Sequence, residues 1–351
     1  MRGRLAFVTN AGNGLAVRRA EGLATHLVEQ FEVSVVAAPS PSDLVNVASA
    51  DALYVIDPGR RGFPAVLARW MRRRPVIVEV GDPQAALYRA QGRPGPAVAA
   101  GAAADWMIAR WATAVVVRGR ELATTLGLRV PWIEIPDGVD TALFRPDVAG
   151  RTREELEIPE HALVVGVVGS IEWAHRAGMA YGWDVVEAMA YVRELPVWAL
   201  IVGSGSALGR LRGRAEELGV SSRVRFPGRV PHHDVPRFVA AMDVCVSTQS
   251  NDDVGRGRTT AKLPEYLACD RFVLATAVGG AAEVLPADML LPYEGTRDEG
   301  HPRRLATRLA ELVAYQPELR DGVGTRAIAL ERYSYPRLAC RLASFLAYVM
   351  R

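Results

Sequence analysis

Asn251–Leu285 reads NDDVGRGRTTAKLPEYLACDRFVLATAVGGAAEVL. A loop rich in glycine and arginine runs into Thr259 and Thr260, residue types that favour helix starts, and a helix is expected from near Lys262. The apolar run Phe272–Ala275 has the length and side chains of a buried strand, and Gly279 and Gly280 follow it as a turn. Helix, strand and turn in that order make one unit of a parallel α/β layer.

The alternation continues on both sides. Strands are expected at Leu163–Val168, Trp198–Val202, Val224–Phe226, Val244–Ser247 and Met289–Leu291. Helices are expected at Gly182–Val192, Ala207–Leu218, Pro236–Ala241 and Lys262–Cys269, and the tail from His301 reads as amphipathic helix. An earlier series holds the strand-like runs Leu5–Thr9, Val33–Ala37, Ala52–Ile56, Val76–Val80, Ala114–Val117 and Trp132–Ile135, with helices such as Leu15–Gln30 and Pro64–Arg73. Strands this apolar are buried on both faces, as in a doubly wound sheet. Between the two series, DGVDTALFRPDVAGRTREE after Pro136 reads as a linker. Two Rossmann-like domains are therefore expected, residues 1–140 joined by the last helix (335–351) and residues 141–334. Their parallel sheets are expected to face each other across a cleft, with ligands beyond the carboxyl ends of the strands.

Composition narrows the function. With 50% hydrophobic and 23% charged residues among 351, the chain is a folded one. Its 42 Lys and Arg against 39 Asp and Glu leave +3, too little to point to nucleic acid. Cys245, Cys269 and Cys340 form no CxxC and read as buried thiols of a reducing compartment. No apolar run reaches the ~18 residues of a membrane span, and MRGRLAFVTNAG is too poor in apolar residues for a secretory leader, so a cytoplasmic location is expected. Lys262 is the only lysine in a chain that otherwise uses arginine throughout. A site that wants a compact ammonium in place of a planar fork would retain one.

Three glycine-rich turns are candidates for phosphate binding. TNAGNGLAVRRAEG opens a helix behind Gly12 and Gly14, with Arg18 one turn inside, but it lacks the third glycine of a dinucleotide fingerprint. LIVGSGSALGRL carries Gly203, Gly205 and Gly209, and close strand–helix packing explains it as well as a cofactor does. No acidic residue ends the next strand, which counts against NAD. The third turn leads into Lys262 with Glu265 one turn along. Helix-start N–H groups and an ammonium suit a diphosphate, and an ionised carboxylate accepts hydrogen bonds from a ribose diol.

Taken in order, IPDGVDTALFRP, VVGVVGS with HRAG, LIVGSGS, VRFPGRVPHHDVPRFVAAMDVCVS and KLPEYLACDRFVLATAVGGAAEVL are similar to the segments of GT-B glycosyltransferases. The chain resembles family 4, the retaining enzymes that use nucleotide diphosphate sugars, most clearly from about Ile135 to Leu285. The resemblance implies that a sugar passes from a nucleotide diphosphate donor to an acceptor hydroxyl with retention. Donor would bind mainly the C-terminal domain and acceptor the N-terminal one. Glu265 matches the family's ribose-binding glutamate, Lys262 the KLxEY form of that segment, and Arg176 falls at or beside its diphosphate-binding lysine. Thr260 and Ala261 would meet the diphosphate through their amides, and Arg229 lies in the turn that edges the base. Gly14 and Arg18 match the N-terminal loop; Ser170 and Gly203 complete the implied contacts.

The chain departs from that pattern at three places. Gly257 stands where the first glutamate of the pair belongs, Ser170 replaces an arginine, and Gly81 of VEVGDP replaces a histidine before Asp82. Other readings stay open on these losses: a nucleotide-binding partner without catalysis, or an epimerase or hydrolase of the same fold. The implied donor is linked to UDP, GDP or TDP, and the implied acceptor is a small polar natural product, a lipid or a glycan. No cofactor, metal or nucleic acid is expected, and the chain would be a monomer or homodimer. His175 and the pair His232–His233 lack a third ligand at metal spacing, and Asn251–Asp253 reads as solvated loop. RWMRRRP (Arg69–Pro75) and DWMIARW (Asp105–Trp111) read either as solvated helix faces over the core or as peripheral contacts to a membrane.

Overall fold

In the computed structural model, described residues are 3–10, 14–40, 43, 47, 49–58, 66, 74–90, 92–257 and 260–350. The chain divides into two compact units. Unit 1 comprises residues 1–138, 257–259 and 332–351; unit 2 comprises 139–256 and 260–331.

Unit 1 is built on six parallel strands: β1 (Gly3–Thr9), β2 (Phe31–Ala37), β3 (Ala52–Ile56), β4 (Val76–Val80), β5 (Ala114–Val117) and β6 (Trp132–Glu134). Their order is β2-β1-β3-β4-β5-β6. β3, β4 and β5 are buried along their whole length, as strands covered on both faces must be. The expected strand runs agree with these to within two residues. The helix expected at Pro64–Arg73 lies, apart from Val66, outside the described residues, as do Gly12 and Arg69–Arg73. The Tyr335–Val349 helix packs on this unit, with Leu338, Leu342 and Leu346 buried in one cluster with Leu5, Phe7 and Leu23. Leucines four apart share a helix face, and each contributes roughly 2 kcal/mol by leaving water.

Unit 2 carries β7 (Leu163–Val168), β8 (Val197–Val202), β9 (Val224–Gly228), β10 (Val244–Ser247), β11 (Phe272–Thr276) and β12 (Leu290–Leu291). They run parallel in the order β12-β11-β10-β7-β8-β9. Counted from β7, that is 3-2-1-4-5-6 read from the β9 edge, the order of dinucleotide folds.

Three readings need correction. The tail from His301 is not one amphipathic helix. It breaks into His301–Leu312, Gln316–Asp321, Arg326–Ile328 and a π-helical turn at Ala329–Tyr333 before the last helix begins. Gly322 and Gly324, at φ +103° and +80°, end the middle segments, and Arg326 turns inward to the carbonyls of Thr141 and Phe144. Cys245 and Cys269 are buried as expected, but Cys340 is exposed on the last helix. Trp106 and Trp111 stack edge to face at 5.5 Å in the open, so DWMIARW does not lay its rings over the core. Among the described residues no helix is long and apolar enough to cross a membrane.

Candidate functional site

In unit 2 the strand order reverses between β7 and β10, which pair through Val165–Val244 and Gly166–Cys245. Open α/β sheets bind ligands outside the carboxyl ends of the strands at such a point. β7 ends at Val168, whose N–H donates to the buried Tyr266 hydroxyl at 2.8 Å. That bond ties the strand end to the Lys262–Ala268 helix, whose Leu263, Tyr266 and Leu267 are buried. The apolar face of KLPEYLA thus sets where its first residue lies.

Gly169 follows, at φ +147°, a conformation that L side chains rarely adopt. A Cβ there would come 2.4 Å from Lys262 Cε and 3.1 Å from its Nζ, so the lysine lies directly on this backbone. Its ammonium sits over the Tyr181 ring, 3.2 Å from the centroid, a cation–π contact. Among the described residues no carboxylate pairs with it. Gly203 closes against the same place: its φ is +146°, and a Cβ would fall 1.8 Å from the Gly169 carbonyl oxygen. The glycines of LIVGSGS therefore allow two strand ends to touch backbone to backbone. Gly209 has no such task, because a Cβ there meets nothing. Gly203 N–H also donates to the Gly228 carbonyl at 2.9 Å, which draws in the turn carrying Arg229.

The remaining expected residues fall around this point in different ways. Ser170 is exposed immediately beyond Gly169. Thr260 Oγ1 lies 3.4 Å from Ser247 Oγ at the end of β10, and the Thr260 carbonyl accepts the Leu263 N–H. Ala261, not a threonine, is the helix N-cap, and no side chain caps this end. Glu265 is half-buried one turn along. Arg229 is exposed just past β9. Arg176 Nη2 donates to Asp252 Oδ2 at 2.6 Å, and Asp252 Oδ1 accepts the Gly255 N–H at 3.1 Å. Asp252 is therefore an ion-pair partner, which corrects the reading of its run as solvated loop. Arg258 and Thr259 lie outside the described residues.

In unit 1, Gly14 is the N-cap of the Leu15–Thr25 helix at φ +93°, and its carbonyl accepts the Arg18 N–H at 3.2 Å. Arg18 is half-exposed, whereas its neighbour Arg19 is fully buried. The sequence reading also missed Tyr181 and Tyr266. Tyr266 had a signal in hand, since a tyrosine on the apolar face of a short helix needs a partner for its hydroxyl.

The chain is similar to known proteins in sequence and in fold. Residues 162–314 match the family Glycosyl transferases group 1. The 2-deoxystreptamine N-acetyl-D-glucosaminyltransferase of Streptomyces fradiae is 30% identical over 226 residues, covering 60% of this chain and 50% of that protein. The D-inositol 3-phosphate glycosyltransferase of Streptosporangium roseum is 27% identical over 255 residues, 70% of this chain and 56% of the relative. The chain spans about half the length of the curated relatives it matches. Anabaena HepE in complex with UDP-glucose superposes with a TM-score of 0.76 at 18% identity, over 99% of this chain and 100% of that one. The two six-stranded parallel sheets are those of the GT-B fold, and residues 162–314 are similar to the glycosyl transferases group 1 family.

Proposed function

We propose that the chain transfers a glycosyl group from a nucleotide diphosphate sugar to an acceptor hydroxyl, with the diphosphate held where β7 and β10 end. The observation that carries this is the Lys262 ammonium, laid on the Gly169 backbone at the switch point with no carboxylate partner among the described residues. Such a cation, beside strand ends too close for side chains, suits two linked phosphates. An arginine fork would not fit where Cε already crowds the glycine.

Glu265, one turn along on the same face, would accept hydrogen bonds from the ribose. Arg176 would join the diphosphate by leaving Asp252. Its side chain is 40% exposed, and exchange of a surface pair costs at most about 1 kcal/mol. HepE is bound to UDP-glucose in its crystal structure, which favours a uridine donor here. The family resemblance supports retention: the bond from anomeric carbon to phosphate oxygen breaks, the acceptor oxygen takes that carbon on the same face, and its proton goes to the leaving phosphate. Named substrates of the relatives, 2-deoxystreptamine and D-inositol 3-phosphate, support a small cyclitol-like acceptor held by unit 1.

The test joins binding to turnover. UDP should raise the melting temperature of wild type and NAD should not, and Lys262→Ala should lose that shift. With a working acceptor, Lys262→Ala should lower kcat/KM by about 10²–10³, the scale for losing one preorganised charge donor. Turnover near wild type at saturating donor would sink the assignment.

A further inference from the structure

Unit 1 has a switch point of its own. The order β2-β1-β3-β4-β5-β6 reverses between β1 and β3, and Asp57 stands directly after β3. Arg118, directly after β5, reaches across the intervening strand end. Its Nε donates to Glu79 Oε1 at 3.0 Å and its Nη2 to Asp57 Oδ2 at 2.6 Å. Asp57 Oδ1 in turn accepts the Gly81 N–H at 2.9 Å. The guanidinium is thus fixed at two corners, and its side chain is only 11% exposed.

The third corner is the informative one. Nη1 has no hydrogen-bond partner among the described residues, and it lies over Gly81, where a Cβ would come within 2.6 Å of it. The missing side chain at Gly81 is what makes room for the guanidinium. Asp57, 35% exposed, presents its carboxylate beside it. A guanidinium only donates and a carboxylate only accepts, so together they match a hydroxyl, which does both.

The charges decide between a hydroxyl and an anion. Arg19 and Arg118 are answered by Glu79 and Asp57, while burial pushes the Asp137 carboxyl up, toward its neutral form. Within this network two cations therefore meet two ionised carboxylates, in contrast to Lys262. On the reading that unit 1 holds the acceptor, we infer that Arg118 Nη1 and Asp57 form a subsite for the hydroxyls of an uncharged, polyhydroxylated acceptor ring.

Saturation-transfer NMR on the full chain with UDP, using myo-inositol, methyl α-D-glucopyranoside and myo-inositol 1-phosphate as probes, tests this directly. Wild type should bind an uncharged probe. Arg118→Lys, which keeps the charge but loses the fork, and Gly81→Ala, whose Cβ displaces Nη1, should each weaken binding at least about tenfold, as for a lost charge-assisted hydrogen bond. UDP affinity within twofold of wild type would show that both variants fold. The subsite is refuted if no uncharged probe binds, if only the phosphate ester binds, or if both variants bind as wild type does. A transfer assay separates the two readings. Probe binding that depends on Arg118, without product from any donor, overturns the transferase reading alone; product formed with an unchanged acceptor KM in both variants overturns the subsite alone.

Discussion

The two sheets present charge at their switch points in opposite ways. In unit 1, Arg19 and Arg118 share Glu79, and Tyr54 donates to its second oxygen at 2.7 Å, so the buried charges answer one another. In unit 2, Lys262 meets an aromatic face and a glycine backbone, and no described carboxylate. A closed network rigidifies a strand end and can offer a directed hydrogen bond, whereas an unmatched ammonium offers net charge. On the readings proposed above, the same strand-end geometry would serve hydroxyls in one unit and phosphates in the other.

The comparison breaks most visibly at Arg19. Its Nε donates to Glu79 Oε1 at 2.6 Å, while Nη1 and Nη2 donate to the carbonyls of Pro136 and Ile135 at 2.6 and 2.7 Å. Removing Arg19 would leave Glu79 with Arg118 and Tyr54 only and strip the carbonyls of Ile135 and Pro136 of their donors, and losing one member of such a buried network typically costs about 3–5 kcal/mol. Arg19→Met should lower stability in urea titration by that amount, although the apolar stem is kept. A loss below about 1 kcal/mol would mean that Arg118 and Tyr54 alone satisfy Glu79, and that Arg19 is not needed to close the network in unit 1.

How far these two sites could be read in the sequence differs for the same reason. All twelve described strands were legible, because apolar runs of three to six residues between turns leave few alternatives. Lys262 stood out because it is chemically alone in the chain, and Glu265 because it lies one helical turn away; the structure adds that Lys262 lies on the Gly169 backbone. The unit 1 network was not. Arg19 looks like the second half of an ordinary RR pair, and its partners Glu79 and Pro136 lie 60 and 117 residues away. Gly81 read as a lost side chain, and only the fold shows that Arg118 occupies the space. Arg176 was legible as a cation, but its pairing with Asp252, 76 residues on, was not.

Unit 2 also buries titratable groups without partnering every atom, and pH exposes this. Asp184 is buried beside the Thr248 side chain, its Oδ2 has no partner among the described residues, and burial pushes its carboxyl up to about 7 from 3.8. His301, buried with Nδ1 unpartnered, is pushed down by burial to about 4 from 6.5. Between pH 3.8 and 7 the folded chain holds a proton on Asp184 that the unfolded chain lacks, so this group's contribution falls as pH rises. Between pH 4 and 6.5 the unfolded chain holds a proton on His301 that the folded chain lacks, so that contribution rises. Each slope approaches about 1.4 kcal/mol per pH unit, and the two nearly cancel. Asp184→Asn should remove the falling slope, so from pH 4 to 6.5 its stability should climb by about 2–3 kcal/mol relative to wild type. A variant whose profile runs parallel to that of wild type would show that Asp184 ionises without penalty.

The smallest effect on folding separates structural from functional charge within unit 2. Arg176 and Asp252 make a short but partly exposed pair, and such pairs contribute between nothing and about 1 kcal/mol. Arg176→Ala should leave urea stability within that range, far from the loss at Arg19. On the proposed reading its donor KM should nevertheless rise about tenfold, because the side chain would serve the diphosphate once Asp252 releases it. Asp252→Asn should move KM the other way, since the arginine then has no carboxylate to leave. If both variants shift stability and leave donor KM alone, the pair only pins its loop, and Lys262 carries the diphosphate without it.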